Sequence, residues 1–247
     1  MQIYDQPVRV LLTNMINEYK DSGRNRFGSS DAIGWFAKKY PKIKEGTIRA
    51  HLRRFSTNDP NRLHYDNKPG EGLLFKLGPS DYRMYDPEND PPEILSADPI
   101  SESEFVDTDQ QVAEFSSEFA YERDLQNYLA KNLHAIEDGL RLWKDEDETI
   151  NGIEFDVGGR RIDILAVDKK KNLVVIELKL SKGYDRVVGQ LARYMAWIEK
   201  HQALDGQRVR GVIIARAITD DLKLATSMIH DVELFEYALS VELKRLD

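Results

Sequence analysis

The sequence contains no cysteine, which excludes disulfide bonds, thiolate nucleophiles and cysteine-based metal sites. Any metal ion must therefore be bound through oxygen or histidine ligands. The five histidines show no paired spacing of the kind that binds metals. The sequence also lacks internal repeats, so a repeat architecture is not expected.

Long apolar runs are missing as well. The first residues, up to Tyr19, place Asp5, Arg9 and Glu18 among the apolar positions, and no later stretch reaches the apolar length that a membrane span requires. With 41% hydrophobic residues, the chain can fold into one large domain or two ordinary ones. We expect a soluble intracellular protein that is cytoplasmic and has no membrane partner.

The chain also lacks an overall excess of positive charge, since its formal net charge is −8. The charge is uneven along the chain. Residues 1–85 carry 15 Lys and Arg against 9 Asp and Glu, residues 86–117 carry none against 10, and residues 118–247 carry 20 against 24. Attraction to phosphate is local, so the acidic total does not exclude nucleic-acid binding by the first segment.

The acidic segment, residues 86–117, contains four prolines and few large apolar residues, which is typical of a solvated linker. It predicts two flanking domains, residues 1–85 and residues 118–247. An alternative role for this linker is to lie over a basic surface as a mimic of DNA.

Three helices followed by a short β-hairpin are predicted in the first domain, the element order of a winged helix-turn-helix. In such a domain the third helix enters the DNA major groove and the hairpin touches the backbone. The first predicted helix covers Val8–Tyr19, the second lies between a cap at Ser29 or Ser30 and a stop at Pro41, and the third covers Glu45–Phe55. The predicted strands are Leu63–Tyr65, Leu73–Leu77 and Tyr82–Tyr85.

The third helix carries the side chains of this domain that are expected to contact DNA. Its apolar face, with Ile48, Leu52 and Phe55, leaves basic residues on other faces, where they suit phosphate neutralisation and guanine readout. The alternative is a solvated basic face of a protein-interaction module, since winged helices also bind proteins. The stretches YPKIKEGTIRAHLRRFS and YRMY resemble winged-helix-like domains attached to restriction endonucleases. The predicted DNA contacts are Arg49, His51, Arg53 and Arg54.

The second domain is predicted to open with a helix over residues 118–132 that places Glu122 on the same face as Leu125 and Leu129. A carboxylate beside core leucines is costly unless it meets a cation, a hydrogen-bond donor or a metal, which makes Glu122 a candidate site residue. An exposed glutamate at the margin of that face is the alternative.

A hairpin of two alternating strands follows, with Asp163 on the first strand and Glu177 and Lys179 on the second. Residues two apart on a strand share a face, and folding the hairpin brings Asp163 opposite roughly residue 178, so the three polar groups can converge. Two carboxylates bind a hard Mg²⁺ ion, with Mn²⁺ as a substitute, and the ion polarises a phosphoryl group and lowers the pKa of a bound water. Lys179 can hold that water and offset the charge that builds on the phosphate.

The order of predicted elements in this domain is helix, a meander of strands, helix, strand, helix and strand, which predicts an α/β fold with a mixed central sheet flanked by helices. On the helix over residues 185–201, Gln190 shares one side with Tyr194 and Trp197, and the two aromatic residues are expected in the core. Arg161 is the predicted DNA contact of this domain. Three further arginines flank the proposed centre and can bind phosphate, namely Arg160, Arg186 and Arg193.

These residues resemble the PD-(D/E)XK nucleases, whose fold is that of restriction endonucleases, and within them the C-terminal nuclease domain of the NucS/EndoMS group and related RecB-like enzymes. The resemblance rests on ERDLQNYLAKNLHAIEDGL, GGRRIDILAVDKKKNLVVIELKL and VVGQLARYMAWI in that order. It implies that Asp163 and Glu177 bind the metal, that Lys179 is the catalytic lysine, and that Glu122 and Gln190 belong to the site.

The sequence departs from that family in two respects. Ile162 replaces the proline of the Pro-Asp pair that names the class. The first half of the chain does not resemble the N-terminal domain of NucS/EndoMS, so mismatch specificity is not carried over with the catalytic residues.

The sequence therefore predicts a metal-dependent DNA endonuclease whose N-terminal domain chooses the target, serving restriction or another defence against foreign DNA. DNA repair, by a mismatch- or structure-specific nuclease, is the alternative enzyme role. A non-catalytic DNA-binding protein on a nuclease fold and a hydrolase of small phosphoesters are more distant alternatives. The expected partner is double-stranded DNA, and a homodimer is one expected arrangement, since nucleases that cut both strands often act as dimers.

Overall fold

A computed structural model describes residues 4–95, 122–179 and 184–238. Residues 4–95 are called the N-terminal unit below, and the described residues from 122 to 238 the C-terminal unit. Most of the predicted linker, residues 96–117, and the predicted helix start at residues 118–121 lie outside the described residues. Among the described helices, none combines the length and the apolar character that crossing a membrane requires.

The N-terminal unit consists of three helices and a small antiparallel sheet with strand order β1-β3-β2. Its core is built from the apolar faces of the helices, including Leu12, Met15 and Phe36, which are fully buried. The elements are α1 (Val8–Asp21), β1 (Arg26–Gly28), α2 (Ser29–Lys39), α3 (Glu45–Arg54), a 3₁₀ helix (Pro60–His64), β2 (Leu74–Gly78) and β3 (Asp81–Met84).

The three helices and two later strands follow the predicted order, and the identification of this unit as a winged helix stays a prediction. Strand β1 was not expected. The strand predicted at Leu63–Tyr65 is wrong, because Pro60 starts a 3₁₀ helix there and the Asp59 side chain accepts a hydrogen bond from the backbone N–H of Asn61. Neither serine caps α2, whose N-cap is Gly28.

Several of the first ten residues of the predicted linker contact the N-terminal unit, although most of the ten are exposed. Asp90 pairs with Arg83, and Glu93 pairs with Arg62, a fully buried arginine. The backbone N–H of Ile94 also donates to the carbonyl of Thr57 at 2.9 Å. The part of this segment that the structure describes therefore belongs with the N-terminal unit, while the domain boundaries at residues 85 and 118 stay predictions.

The C-terminal unit is a six-stranded mixed sheet with helices on both faces, which confirms the predicted fold class. The main path is β4-β6-β7-β8-β9, and β5 pairs with β6 outside this path. β6 and β7 form the antiparallel hairpin, while β7, β8 and β9 run parallel. The elements are α4 (residues 122–131), a 3₁₀ helix (Leu133–Ala135), β4 (Arg141–Leu142), β5 (Ile153–Asp156), β6 (Arg161–Val167), β7 (Leu173–Lys179), α5 (Tyr184–His201), β8 (Val209–Ala215), α6 (Asp220–Thr226) and β9 (Val232–Glu236).

The two faces of this sheet belong to separate cores, because side chains alternate along each strand. Ile164 and Ile176 pack with Leu125 and Leu129 of α4 on one face. Residues of odd number, such as Leu165 and Val175, pack against α5 on the other face.

The two units share a hydrophobic core. Ala50 of α3 and Tyr65 of the N-terminal unit pack in the same cluster as Ile150 and Phe155 of the C-terminal unit. The helix approaches so closely that a Cβ atom on Gly46 would lie 3.0 Å from the Phe155 ring and 2.4 Å from Gln202 Oε1. Helix α3 is therefore buried on both sides, by its own unit on one and by the C-terminal unit on the other.

Candidate active site

The β6–β7 hairpin brings the three predicted residues together. Its register pairs Ile164 with Ile176, so the next residues outward are Asp163 and Glu177. The backbone N–H of Leu178 donates a hydrogen bond of 2.7 Å to Asp163 Oδ2. Glu177 and Lys179, two residues apart on β7, share the face that α5 covers.

Glu177 is the deepest group of the site, with 1% of its surface exposed. Gln190 of α5 donates from Nε2 to Glu177 Oε2 at 2.6 Å. The other carboxylate oxygen, Oε1, is buried and has no hydrogen-bond partner among the described residues. Burying a carboxylate oxygen without a hydrogen-bond donor costs free energy. A proton or a bound cation at this atom would remove that cost.

The pKa values of both acids are raised. Burial raises the pKa of Glu177 to about 10, and the neighbouring charge of Asp163 adds to the shift. Burial also raises the pKa of Asp163 to about 7, with Glu154 and Glu122 contributing, while the hydrogen bond from Leu178 acts in the opposite direction. Carboxylates this close cannot all be ionised unless a positive charge offsets their repulsion.

Glu154 and Gln126 are site residues that the sequence analysis missed. Gln126 Nε2 donates to Glu154 Oε1 at 2.8 Å and to the backbone carbonyl of Asp163 at 2.9 Å. Gln126 follows the predicted Glu122 by one helical turn, a spacing that could have revealed it. Glu154 lies on β5 with φ of 50°, a backbone conformation that only the folded chain discloses.

A pocket of about 410 Å³ opens over Asp163. Both predicted residues Glu122 and Arg161 line it, which places the candidate acid of the first helix in the same pocket as Asp163. Its lining also includes Tyr194, a buried core residue as expected, and two residues of the N-terminal unit. Those two are Asn61 and His64, and the remaining lining residues are Arg123, Gln126, Glu154, Gly159, Arg160 and Leu178.

The residues present fit a divalent cation of the kind that binds oxygen. Asp163 and Glu177 supply carboxylate oxygens, the ligands that Mg²⁺ and Mn²⁺ prefer. The unpartnered Glu177 Oε1 and the raised pKa values are both relieved when a cation is bound.

A second cluster with metal-binding side chains lies between the two units, at His51, Asp145 and Asp147. Its oxygen atoms already have partners in the chain. His51 Nε2 contacts Asp145 Oδ2 at 3.0 Å, and Arg9 contacts Asp147 Oδ2 at 2.8 Å. The backbone N–H of Ile150 donates to Asp145 Oδ1 at 2.8 Å. This cluster therefore serves as a hydrogen-bonded joint between the units.

The acids at the pocket and the cluster between the units are expected to respond differently when metal is added or removed. Saturating Mn²⁺ is expected to raise the Tm of the wild-type protein, and EDTA to reverse the rise. Binding to the folded state at a hundredfold excess over Kd adds about 2.7 kcal/mol, or about 5–10 °C for a chain of this size. Asp163→Asn removes a ligand and should abolish the rise in scanning calorimetry.

Asp147→Asn is the matched control for this measurement. It changes a carboxylate of the second cluster and should leave the Mn²⁺-dependent rise in Tm unaltered. The opposite pattern, with the rise lost in Asp147→Asn and retained in Asp163→Asn, would move the metal site to the junction between the units.

The structure buries three of the four predicted DNA contacts on α3, and Arg49 stays a prediction. His51, Arg53 and Arg54 are almost completely buried. Arg53 Nη2 pairs with Asp156 Oδ2 at 2.8 Å, and Arg54 Nη2 pairs with Glu71 at 2.6 Å. The prediction failed because the sequence does not show that the C-terminal unit covers the polar face of α3.

Arg49 is half-buried and forms an ion pair with Glu45 at 2.8 Å. Glu45 also contacts His201 of α5 at 2.8 Å. Arg161 remains exposed in the pocket, where it contacts Glu154 and Asn61. Trp197 is partly buried in the core and stacks on His201, as expected for a structural aromatic. Arg160, Arg186 and Arg193 are exposed.

Comparison with known proteins separates the two units. Residues 121–242 match the family model described as the Endonuclease NucS C-terminal domain. Residues 7–84 match a different family model, described as a domain of unknown function (DUF7669).

Among curated relatives, Endonuclease NucS of Pyrococcus abyssi is 31% identical over 102 residues, which cover 41% of this chain and 36% of the relative. Endonuclease NucS of Bifidobacterium animalis subsp. lactis is 33% identical over 117 residues, or 47% of this chain and 45% of the relative. The chain therefore matches less than half the length of these two relatives.

Two solved structures are distantly similar. The crystal structure of a repair endonuclease from Pyrococcus abyssi matches with 20% identity and a TM-score of 0.38, covering 66% of this chain and 60% of that chain. A structure of an EndoMS–dsDNA complex matches with 23% identity and a TM-score of 0.39, covering 48% and 46%. Likenesses at these TM-scores are too distant to bear on the geometry of the pocket.

Proposed function

We propose that this chain, whose C-terminal unit is a NucS-like domain of the PD-(D/E)XK nuclease class, is a divalent-metal-dependent endonuclease acting on double-stranded DNA. The observation that carries the proposal is the pair formed by Asp163, which lines the pocket, and the buried Glu177 behind it, with an unpartnered carboxylate oxygen on Glu177 and with Lys179 near Asp163. Oxygen ligands and a nearby ammonium group are what hydrolysis of a phosphodiester needs.

Asp163 and Glu177 would hold the metal, and Mg²⁺ is the ion we propose, with Mn²⁺ as a substitute. A divalent ion there supplies Lewis acidity toward the phosphoryl oxygen and lowers the pKa of water. Gln190 orients Glu177 through its hydrogen bond, and Gln126 orients Glu154. Lys179 offsets the charge that develops on the phosphate in the transition state.

A role in DNA repair is proposed in place of the restriction role expected from the sequence. The curated relatives reported above are both named Endonuclease NucS. The burial of α3 also removes the surface that was expected to read a target sequence in the major groove. A nuclease that recognises DNA structure fits these observations better than one that reads a long sequence.

Cleavage assays with Mg²⁺ or Mn²⁺ test the proposal. The substrates are fully paired duplexes, duplexes with a mismatch, branched duplexes, and methylated and unmethylated phage DNA. We expect metal-dependent cutting that prefers the mismatched or branched duplexes over the fully paired ones. Cutting of unmethylated phage DNA at one fixed sequence would instead support restriction. Binding without cleavage under either metal would overturn the catalytic proposal.

A further inference from the structure

The pocket over Asp163 is built from both units of the chain. One side carries Arg161 of β6, and another side is formed by the 3₁₀ helix Pro60–His64 of the N-terminal unit. Arg161 Nη1 donates a hydrogen bond to Asn61 Oδ1 at 2.7 Å, so a side chain of the N-terminal unit reaches into the lining of the pocket.

We propose that Arg161 binds a phosphate of the DNA strand in this pocket and that Asn61 is the positioning residue that orients its guanidinium group. The proposal rests on the proposed nuclease function. It gives the N-terminal unit a role in the cleavage site itself, in place of a separate reading surface on α3.

The guanidinium group of Arg161 is held on two sides. Nη1 contacts Asn61, and Nε lies 3.2 Å from Glu154 Oε2. Because a guanidinium group is planar, these two contacts fix its orientation. The side chain keeps 48% of its surface exposed, so its remaining donors can bind a phosphate oxygen.

Asn61 is itself fixed, which makes it a rigid support. Asp59 Oδ1 accepts hydrogen bonds from the backbone N–H of Asn61 at 3.0 Å and from its Nδ2 at 2.8 Å. Since Nδ2 is used by Asp59, the acceptor oxygen of the amide faces Arg161. Asp59 is 1% exposed and is held in turn by Lys76 Nζ at 2.6 Å.

The pocket contains groups of both charges. Arg160 and Arg161 line it together with the carboxylates Glu154 and Asp163, so guanidinium groups that can bind a phosphate lie next to the acids that would hold the metal. Burial lowers the pKa of His64 in the same lining, which disfavours the charged form of that side chain. The cationic groups considered for phosphate binding are therefore the arginines.

Cleavage kinetics of a duplex that the wild-type protein cuts, measured with Mn²⁺ at several KCl concentrations, test the proposal. Arg161→Ala is expected to raise KM about tenfold and to lower the slope of log KM against log [KCl] by about 1, as loss of one phosphate contact requires. Asn61→Ala should raise KM about threefold with kcat nearly unchanged, the size of one lost hydrogen bond. It should have no further effect in the Arg161→Ala background.

Arg9→Ala is the matched control, because Arg9 also joins the two units, through Asp147, but does not line the pocket. It should leave KM and the salt slope as in the wild type. Additive effects of Asn61→Ala and Arg161→Ala would overturn the inference, as would an equal rise of KM in Arg9→Ala or a wild-type KM in Asn61→Ala. If the wild-type protein cuts no duplex, the proposed function fails and this inference fails with it. That failure is seen in the wild type itself, whereas the other contrary results appear only in the variants.

Discussion

Replacing Lys179 by alanine is expected to lower kcat for DNA cleavage about a thousandfold, with a much smaller change in KM. The ammonium group acts on charge that develops only in the transition state, so its loss affects the chemical step more than the binding of DNA. Glu177→Gln should cause a loss of at least the same size. That variant keeps an oxygen for the hydrogen bond from Gln190 but removes the charge that holds the metal.

Lys170→Ala is the matched control for this measurement, since Lys170 is an exposed lysine on the turn of the same hairpin. Single-turnover cleavage with Mg²⁺ and Mn²⁺ compares the variants, and circular dichroism checks that each is folded. Wild-type rates in both Lys179→Ala and Glu177→Gln would place the catalytic centre elsewhere in the chain.

Arg53→Ala is expected to lower the free energy of unfolding by about 3–5 kcal/mol, because it leaves Asp156 buried without its counter-charge. Burial acts against the charge of Arg53, but Asp156, together with Tyr65 and Asp59, outweighs it and raises the pKa of the guanidinium group. Asp156 also accepts hydrogen bonds from Gly158 and Gly159, at 3.1 and 3.2 Å, in the turn that leads to Arg161. Urea denaturation monitored by tryptophan fluorescence measures the loss.

An exposed ion pair provides the comparison for Arg53→Ala. Arg26 pairs with Asp81, and 68% of the Arg26 side chain is exposed. Arg26→Ala should leave the free energy of unfolding close to that of the wild type, because solvent screens an exposed ion pair. The opposite result would be an Arg53→Ala variant that is as stable as the wild type but binds DNA more weakly. That result would show that α3 contacts DNA, as the sequence predicts, and that Arg53 is not buried against Asp156.

The sequence predicted the C-terminal unit well because its strands carry strong patterns. Both strands of the predicted hairpin are present, as β6 and β7. Alternation places Glu177 and Lys179 on one face of their strand, and the register of the hairpin, with Ile164 opposite Ile176, adds Asp163 opposite Glu177 rather than residue 178. The sequence alone could therefore predict that these three residues lie close together, while their role in catalysis stays a prediction.

The residues that the sequence could not reveal are those whose position depends on contacts far along the chain. Asn61 reaches the pocket only because the two units pack together, and no spacing relates it to Arg161, 100 residues later. Glu154 points into the site through an unusual backbone angle. Burial of the basic side chains on α3 likewise depends on Asp156 and Glu71, which no periodicity places nearby.

The shared core has a consequence for how this protein could be re-engineered or could exchange parts during evolution. A module that merely tethers a nuclease to its target can be replaced by another one, since only a flexible connection is broken. Here, fusing the C-terminal unit to an unrelated module would expose Phe155 to solvent and would remove Arg53, the ion-pair partner of Asp156. The two halves would have to be inherited or redesigned as one piece.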